Sequence, residues 1–192
     1  MLDQTSLKRE NRGHSRAGNA MERSRKALLD GAREAISAKG LSATSMVDVA
    51  DYGQVARATL YNHFRSKEDL WTALVTDELE RVSTLFRAEK TFEAGLMALA
   101  GAIGTNSMLR TIAVTDPTTL AVLMTTDQGP IWTQIEARFA LLAKERKVSD
   151  SAAVNLAFRW LLSQVASPIA PEFLPSATSM VARVVKLPAV LF

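Results

Sequence analysis

The stretch TSMVDVADYGQVARATLYNHFRSKEDL, residues 44–70, sets the reading of the whole chain. Ser45 and Asp48 stand three apart, the spacing of a capping box, in which side chains satisfy amides left free at a helix start. Met46, Val49 and Ala50 follow at helical spacing, so that helix has one apolar side. Tyr52-Gly53-Gln54 interrupts the pattern, and glycine supplies the backbone freedom that a tight turn uses. Val55, Leu60 and Phe64 then form a second apolar side, with Leu60 and Phe64 four apart on one face. The opposite face is centred on Ala58 and Asn62 and flanked by Thr59 and Tyr61, with Arg57 in the first turn. Ser66 and Asp69 repeat the capping spacing ahead of a longer helix. Two short helices crossing at a tight turn, the second polar on its free face, make a helix-turn-helix, an arrangement that fits a major groove.

The runs T-S-x-x-D-V-A, V-x-R-x-T-L-Y-x-H-F and S-K-E-x-L within this stretch closely resemble the DNA-binding signature of the tetracycline-repressor (TetR) family. Two departures stand out. The family has Ala-Gly before the valine, whereas Gly53-Gln54 puts the glycine one place early. The family caps its recognition helix with Ser or Thr; Ala56 has no capping oxygen, and a lost cap costs about 0.5–2 kcal/mol. A slightly looser recognition helix is the expectation.

The free face suggests roles. The amide of Asn62 both donates and accepts, which suits adenine in the major groove. Arg57 pairs with guanine or a phosphate, and Ala58 offers a methyl for thymine or for close backbone approach. Lys67, at a helix N-terminus, adds its charge to free amides and a favourable dipole, a ready phosphate site. Thr44 and Ser45 are assigned the same role at the earlier helix. The resemblance further implies phosphate contacts for Thr59, Tyr61 and His63.

Composition supports the assignment. The chain has 192 residues, 47% hydrophobic and 22% charged, enough for a packed core in one domain or two small ones. The net charge of +3 lies wholly in residues 1–70, with 12 Lys+Arg against 9 Asp+Glu, while residues 71–192 carry 11 of each. Positive charge therefore gathers at the helix-turn-helix end, as a polyanion partner requires. No apolar run approaches the roughly 20 residues of a membrane span. The basic N-terminus lacks the apolar core of a secretory signal, and the absence of cysteine suits a reducing cytoplasm. Residues 1–20 are rich in Arg, Ser, Gly and Asn and are expected to be a disordered basic arm, with Arg9, Arg12 and Arg16 able to follow phosphates or a minor groove.

Helical periodicity continues throughout. Leu28, Leu29, Ala32, Ala35 and Ile36 stripe a first helix over residues 21–39, with Gly40 as a left-handed cap and Leu41 just beyond. A long helix over 67–88 is the natural transmission rod. Further helices are expected over 91–107, from Asp116-Pro117 with Asp116 as cap, over 131–147, from Ser149 or Asp150 to about 167, and over 176–186. A loop is bounded by Pro168, Pro171 and Pro175, and residues 187–192 form a short apolar end. The chain therefore reads as all-α: a helix-turn-helix DNA-binding domain at 21–66, then a helical bundle at 67–192. The family resemblance makes that bundle an effector-binding and dimerisation domain whose last two long helices pair with those of a second subunit. Recognition helices about 34–36 Å apart on a palindromic site follow. Phe158, Leu161, Leu162, Val165, Met180 and Val184 are the interface candidates. Phe92, Met97, Met108, Trp132, Phe139 and Phe158, with Met124 and Trp160, are candidates for an apolar effector pocket, although Met and aromatics at helical spacing are more often plain core.

Catalysis is not expected. His14 lies in the arm and His63 in the DNA motif, there is no cysteine nucleophile, and no phosphate loop, zinc pair or dinucleotide fingerprint occurs. No cofactor or metal is called for. The chain reads as a ligand-responsive repressor, a homodimer on duplex DNA. The rival reading is a helical dimeric scaffold that binds DNA without sequence preference.

Overall fold

The computed structural model describes residues 4–125 and 129–185, and these form ten helices with no strand among them. They are α1 (Gln4–Lys39), α2 (Met46–Tyr52), α3 (Arg57–His63), α4 (Lys67–Ala88) and α5 (Phe92–Gly104). The chain continues with α6 (Ser107–Thr115), α7 (Pro117–Thr125), α8 (Pro130–Glu145), α9 (Ser151–Ala166) and α10 (Leu174–Val185). No helix among the described residues is long and apolar enough to cross a membrane. The apolar end at 187–192 and the side chain of Met124 lie outside the described residues.

Two cores divide the molecule. The first gathers Leu28, Leu29, Ala32 and Ile36 of α1, Val49 and Ala50 of α2, Leu60 of α3 and Phe64. Leu70 and Leu74 of α4 and Met108 and Ile112 of α6 complete it. The second packs Phe86, Phe92, Leu96 and Leu99 against Trp132, Phe139, Phe158 and Leu161, with Ala182 and Val185 of α10. α4 enters both cores, so it joins the two halves rigidly. Its C-terminal carbonyls are met by Arg146 at the end of α8, whose Nη2 donates to the carbonyls of Arg87 and Glu89 at 3.1 and 2.7 Å.

Several boundaries differ from the sequence reading. α1 begins at Gln4 rather than Met21, so the stretch expected to be a disordered arm is helical from residue 4. Physically, residues 4–20 contain no proline and only two glycines, Gly13 and Gly18, and that composition permits a helix that low apolar content alone argued against. α6 is a helix of its own, capped by Asn106, whose Oδ1 accepts from the Leu109 amide. The sequence reading ended the preceding helix at Ser107 and left 108–115 unassigned, because a stripe of Met108 and Ile112 is too short to stand out. Pro175 lies in the first turn of α10, where a missing amide costs nothing. Asp150 is the cap of α9.

Candidate nucleic-acid interface

The helix-turn-helix forms as its local signals dictate. Ser45 and Asp48 complete a reciprocal capping box: Ser45 Oγ accepts from the Asp48 amide, and Asp48 Oδ2 accepts from the Ser45 amide at 2.9 Å. At α4 the cap is one-sided, with Ser66 Oγ accepting from the Asp69 amide at 3.1 Å. α3 has no side-chain cap at Ala56.

The turn itself is built differently from the expectation. Gly53 adopts an ordinary right-handed backbone, φ −74° and ψ −5°. The left-handed residue is Gln54, φ 52°. Gly53 is needed for closeness instead: a Cβ there would lie 2.7 Å from the Ala27 carbonyl oxygen on α1. Opposite it, a Cβ on Gly31 would lie 2.4 Å from the Gly53 nitrogen. α1 and α2 thus meet backbone to backbone, and sequence periodicity carries no signal of such a contact.

With Leu60 and Phe64 buried, the other side of α3 faces outward. Arg57, Ala58, Tyr61 and Asn62 are exposed, and Thr59 is half-buried. The Arg57 side chain is 63% exposed and lies 3.9 Å from Asp51, a loose pair that leaves it free to reach elsewhere. Tyr61 is 53% exposed, so it is not core packing. His63 is half-buried, and its Nε2 sits 2.7 Å from Ser24 Oγ on α1, which fixes the end of α3 to the first helix. Lys67 is half-buried and lies over the Trp71 ring at 5.5 Å to the centroid. Ser45 is exposed, but its hydroxyl donates to Asp48 Oδ2 at 2.6 Å. Hydrogen bonds from Lys39, foremost, and from Ser45 hold the Asp48 carboxyl well below the usual carboxylate range.

Thr44 is a correction. It is 1% exposed and its hydroxyl donates to the Gly40 carbonyl at 2.6 Å, so the side chain closes the α1–α2 loop instead of standing at the surface. Sequence reasoning also passed over Tyr52 and Gln54, exposed beside the reading face.

The remaining candidates divide. Phe92, Trp132, Phe139 and Phe158 pack together in the second core, with Phe158 5.6 and 5.7 Å from the Trp132 and Phe139 ring centroids. Phe139 and Phe158 also edge a cleft of about 410 Å³ between α8 and α9, rimmed by Glu136, Lys144 and Asn155. Met108 belongs to the other core and Met97 is exposed, so neither joins a pocket with these aromatics. Trp160 is half-buried against the second core. Of the interface candidates, Phe158 and Leu161 are buried inside the protomer, because α9 turns that face to α5 and α8. Leu162 and Val165 are half-buried, while Met180 and Val184 are 65% and 50% exposed. Leu156 and Phe173, not foreseen, are exposed beside them.

The reading head is tied to the bundle by charge. Arg33 of α1 pairs with Asp77 and Glu78 of α4. Partial burial works against its charge, but hydrogen bonds to Glu78 and Asp77 hold the guanidinium above its ordinary value. This pair lines a polar cleft of about 800 Å³ between α1, α4 and the α5–α6 junction. Asp116, expected to cap α7, instead turns back on the head. Its carboxylate accepts from the Leu41 and Ser42 amides at 2.9 and 3.2 Å and from Thr115 Oγ1 at 2.8 Å. Thr111 Oγ1 donates to the Ser37 carbonyl beside it.

Residues 28–74 match the family model of bacterial regulatory proteins, tetR family. No curated protein sequence matches the chain. Among solved structures, a TetR family transcription regulator from Marinobacter aquaeolei VT8 is 20% identical, with 83% of this chain and 94% of that one covered and a TM-score of 0.56. The TetR family repressor AlkX from Dietzia sp. strain DQ12-45-1b is 20% identical over 84% and 94% at a TM-score of 0.57. The multidrug binding protein EbrR, complexed with malachite green, is 18% identical over 85% and 98% at 0.57. Residues 28–74 thus match the tetR-family model, and over most of its length the chain shares the fold of these solved regulators.

Proposed function

We propose that this chain is a sequence-specific transcriptional regulator, a ligand-responsive repressor that acts in the cytoplasm as a homodimer on a palindromic operator. The observation that carries the reading is α3: Leu60 and Phe64 bury one side while Arg57, Ala58, Tyr61 and Asn62 stand free on the other. A helix so oriented enters a major groove, where Asn62 suits adenine and Arg57 suits guanine or a neighbouring phosphate. Ser45, Thr59, His63 and Lys67 border that face and serve phosphates. We assign no residue to catalysis.

The working division is a reading head at 21–66 and a regulatory bundle at 67–192, with the head borrowing α6 and the first half of α4 for its core. Dimerisation uses α9 and α10. Phe173, Ala177, Met180 and Val184 recur at helical spacing, and three of them are strongly exposed large apolar residues. Leu156 of α9 extends the patch, which a second copy of the same helices covers. A small apolar effector enters at the α8–α9 cleft, whose volume falls in the range of ligand sites. It acts only so far as it binds the DNA-incompetent shape better.

The test is selection of bound fragments from genomic DNA, followed by titration of Arg57→Ala and Asn62→Ala on the selected site. Each change weakens that site by about 5- to 150-fold while leaving random-sequence DNA nearly unchanged, in line with about 1–3 kcal/mol per base contact. Recovery of no preferred sequence favours the scaffold reading, which the uncapped Ala56 and the strained Gln54 would accompany.

A further inference from the structure

One charged side chain beside the free face of α3 has the wrong sign for a surface that meets DNA. Asp51 stands in the last turn of α2 with its side chain 64% exposed, and its Oδ2 lies 3.9 Å from Arg57 Nη2. A carboxylate there is unfavourable twice over. The C-terminal end of a helix carries partial negative charge, which repels an anion. The duplex brings one negative phosphate per ~1.7 Å of its axis, which repels it again. The other carboxylate of α2 has its own employment: Asp48 completes the capping box and is held by Lys39 and Ser45. Asp51 caps nothing, and among the described residues its one ion pair is with Arg57.

An exposed pair at that distance contributes little to folding. Its consequence lies in where Arg57 goes. Arg57 opens α3 three residues past the turn, and its long side chain has two kinds of acceptor within reach, a guanine edge or a phosphate. The two differ in the neighbour they tolerate. A phosphate that approaches Arg57 also approaches Asp51, and the carboxylate cancels much of the attraction. The guanine edge offers O6 and N7 without a net charge, and the amino group of the paired cytosine is a donor in the same groove. A carboxylate beside the guanidinium is therefore compatible with a G·C pair and hostile to the backbone.

We propose that Asp51 is a positioning residue that sets specificity: it withholds Arg57 from phosphates and turns it to a guanine. This rests on the DNA-binding reading above and deepens it, by choosing between the two roles open to Arg57. The carboxylate raises discrimination by weakening the binding of wrong sites, not by strengthening the right one.

The experiment uses the full chain and three kinds of probe: the duplex selected from genomic DNA, the same duplex with each base pair replaced in turn, and a random-sequence duplex. Affinity is read by fluorescence anisotropy at one fixed salt concentration. Replacing the base pair read by Arg57 costs the unaltered protein about 5- to 150-fold. Arg57→Ala identifies that pair, because the penalty there disappears. Asp51→Ala is an exposed change to a better helix former and keeps the fold, which far-ultraviolet circular dichroism verifies. It is expected to shrink the penalty at that pair several-fold. It also tightens binding to the random duplex by roughly two- to sixfold per subunit, the Boltzmann factor for unit charges about 4–7 Å apart in water. Asp51→Glu restores the charge and recovers the discrimination. In the Arg57→Ala background, Asp51→Ala removes no further discrimination, since no guanidinium remains to be positioned; a merely structural role would not show that dependence. An Asp51→Ala protein whose penalty at that pair is undiminished overturns the proposal and leaves the α3 reading intact. So does an Arg57→Ala protein that weakens the selected and random duplexes alike, because Arg57 is then a phosphate contact. Absence of any preferred sequence for the unaltered protein overturns the base-reading function and the proposal with it.

Discussion

Replacing Gly53 by alanine asks whether the α2–α3 turn needs a glycine for its angles or for its closeness. The backbone at Gly53 is right-handed, so alanine is conformationally welcome there. On that ground alone the change stabilises by about 0.4–1 kcal/mol, through a less free unfolded chain. The neighbours argue the other way. The new Cβ would stand 2.7 Å from the Ala27 carbonyl oxygen, 3.1 Å from the Val49 carbonyl oxygen and 3.2 Å from the Ala27 carbonyl carbon. All three are main-chain atoms, so no side chain can swing aside. Relief requires α1 and α2 to separate, which loosens Leu28 and Ala32 against Val49 and Ala50. Overpacking of this kind costs about 1–3 kcal/mol.

The contact term wins, and Gly53→Ala is expected to lose about 1–2 kcal/mol net. In a chain of this size that lowers the melting temperature by roughly 2–8 °C. Urea unfolding, read by far-ultraviolet circular dichroism, should show a lower midpoint at unchanged slope. Gly31→Ala should cost more, because its Cβ meets Gly53 nitrogen at 2.4 Å and both Gly53 Cα and the Val49 carbonyl oxygen at 2.7 Å. The double substitution should cost less than the sum of the two, since one separation of the helices relieves both clashes. A Gly53→Ala protein as stable as the original, or more so, refutes the backbone-contact account.

Gln54→Gly is expected to stabilise by about 0.5–1 kcal/mol, as relief of a left-handed side chain outweighs the entropy of glycine; a lower urea midpoint contradicts this. Asp116→Asn tests the clamp through pH. Hydrogen bonds from Ser42, first, and from Thr115, with the Leu41 and Ser42 amides, hold the Asp116 carboxyl below its ordinary value. Its contribution is therefore full above the unfolded aspartate value near ~3.9 and is lost as pH falls through the lower folded value. The stability gap between original and variant should be open at neutral pH and close in acid; a gap constant down to the strongly acid range counts against the clamp. Met180→Glu with Val184→Glu should convert a dimer to monomers in sedimentation velocity, and an unchanged dimer mass would move the interface elsewhere.

The features legible in the sequence are those decided by near neighbours. The capping box at Ser45 and Asp48, the left-handed Gly40 and the burial of Leu60 and Phe64 all lie within one or two helical turns of what causes them. The stripe of α1 and the existence of α4, α5, α8, α9 and α10 were legible for the same reason. What was misread depends on partners far along the chain. Thr44 was read as a phosphate contact, and its side chain is buried. Asp116 looked like a helix cap and reaches back to Leu41 and Ser42. Met108 was a candidate for the effector pocket and sits in the core under α1 to α4.

The sequence by itself determined that the chain is helical, that α3 has one apolar and one polar side, and that basic charge gathers at its end of the molecule. Only the tertiary structure decided what covers each apolar stripe: that Phe158 and Leu161 turn inward while Met180 and Val184 are left bare, and that Gly31 and Gly53 let two backbones touch. The reason is geometric. Periodicity states which residues share a face, because one helix sets that spacing, but the face's neighbour is chosen by packing among segments dozens of residues apart.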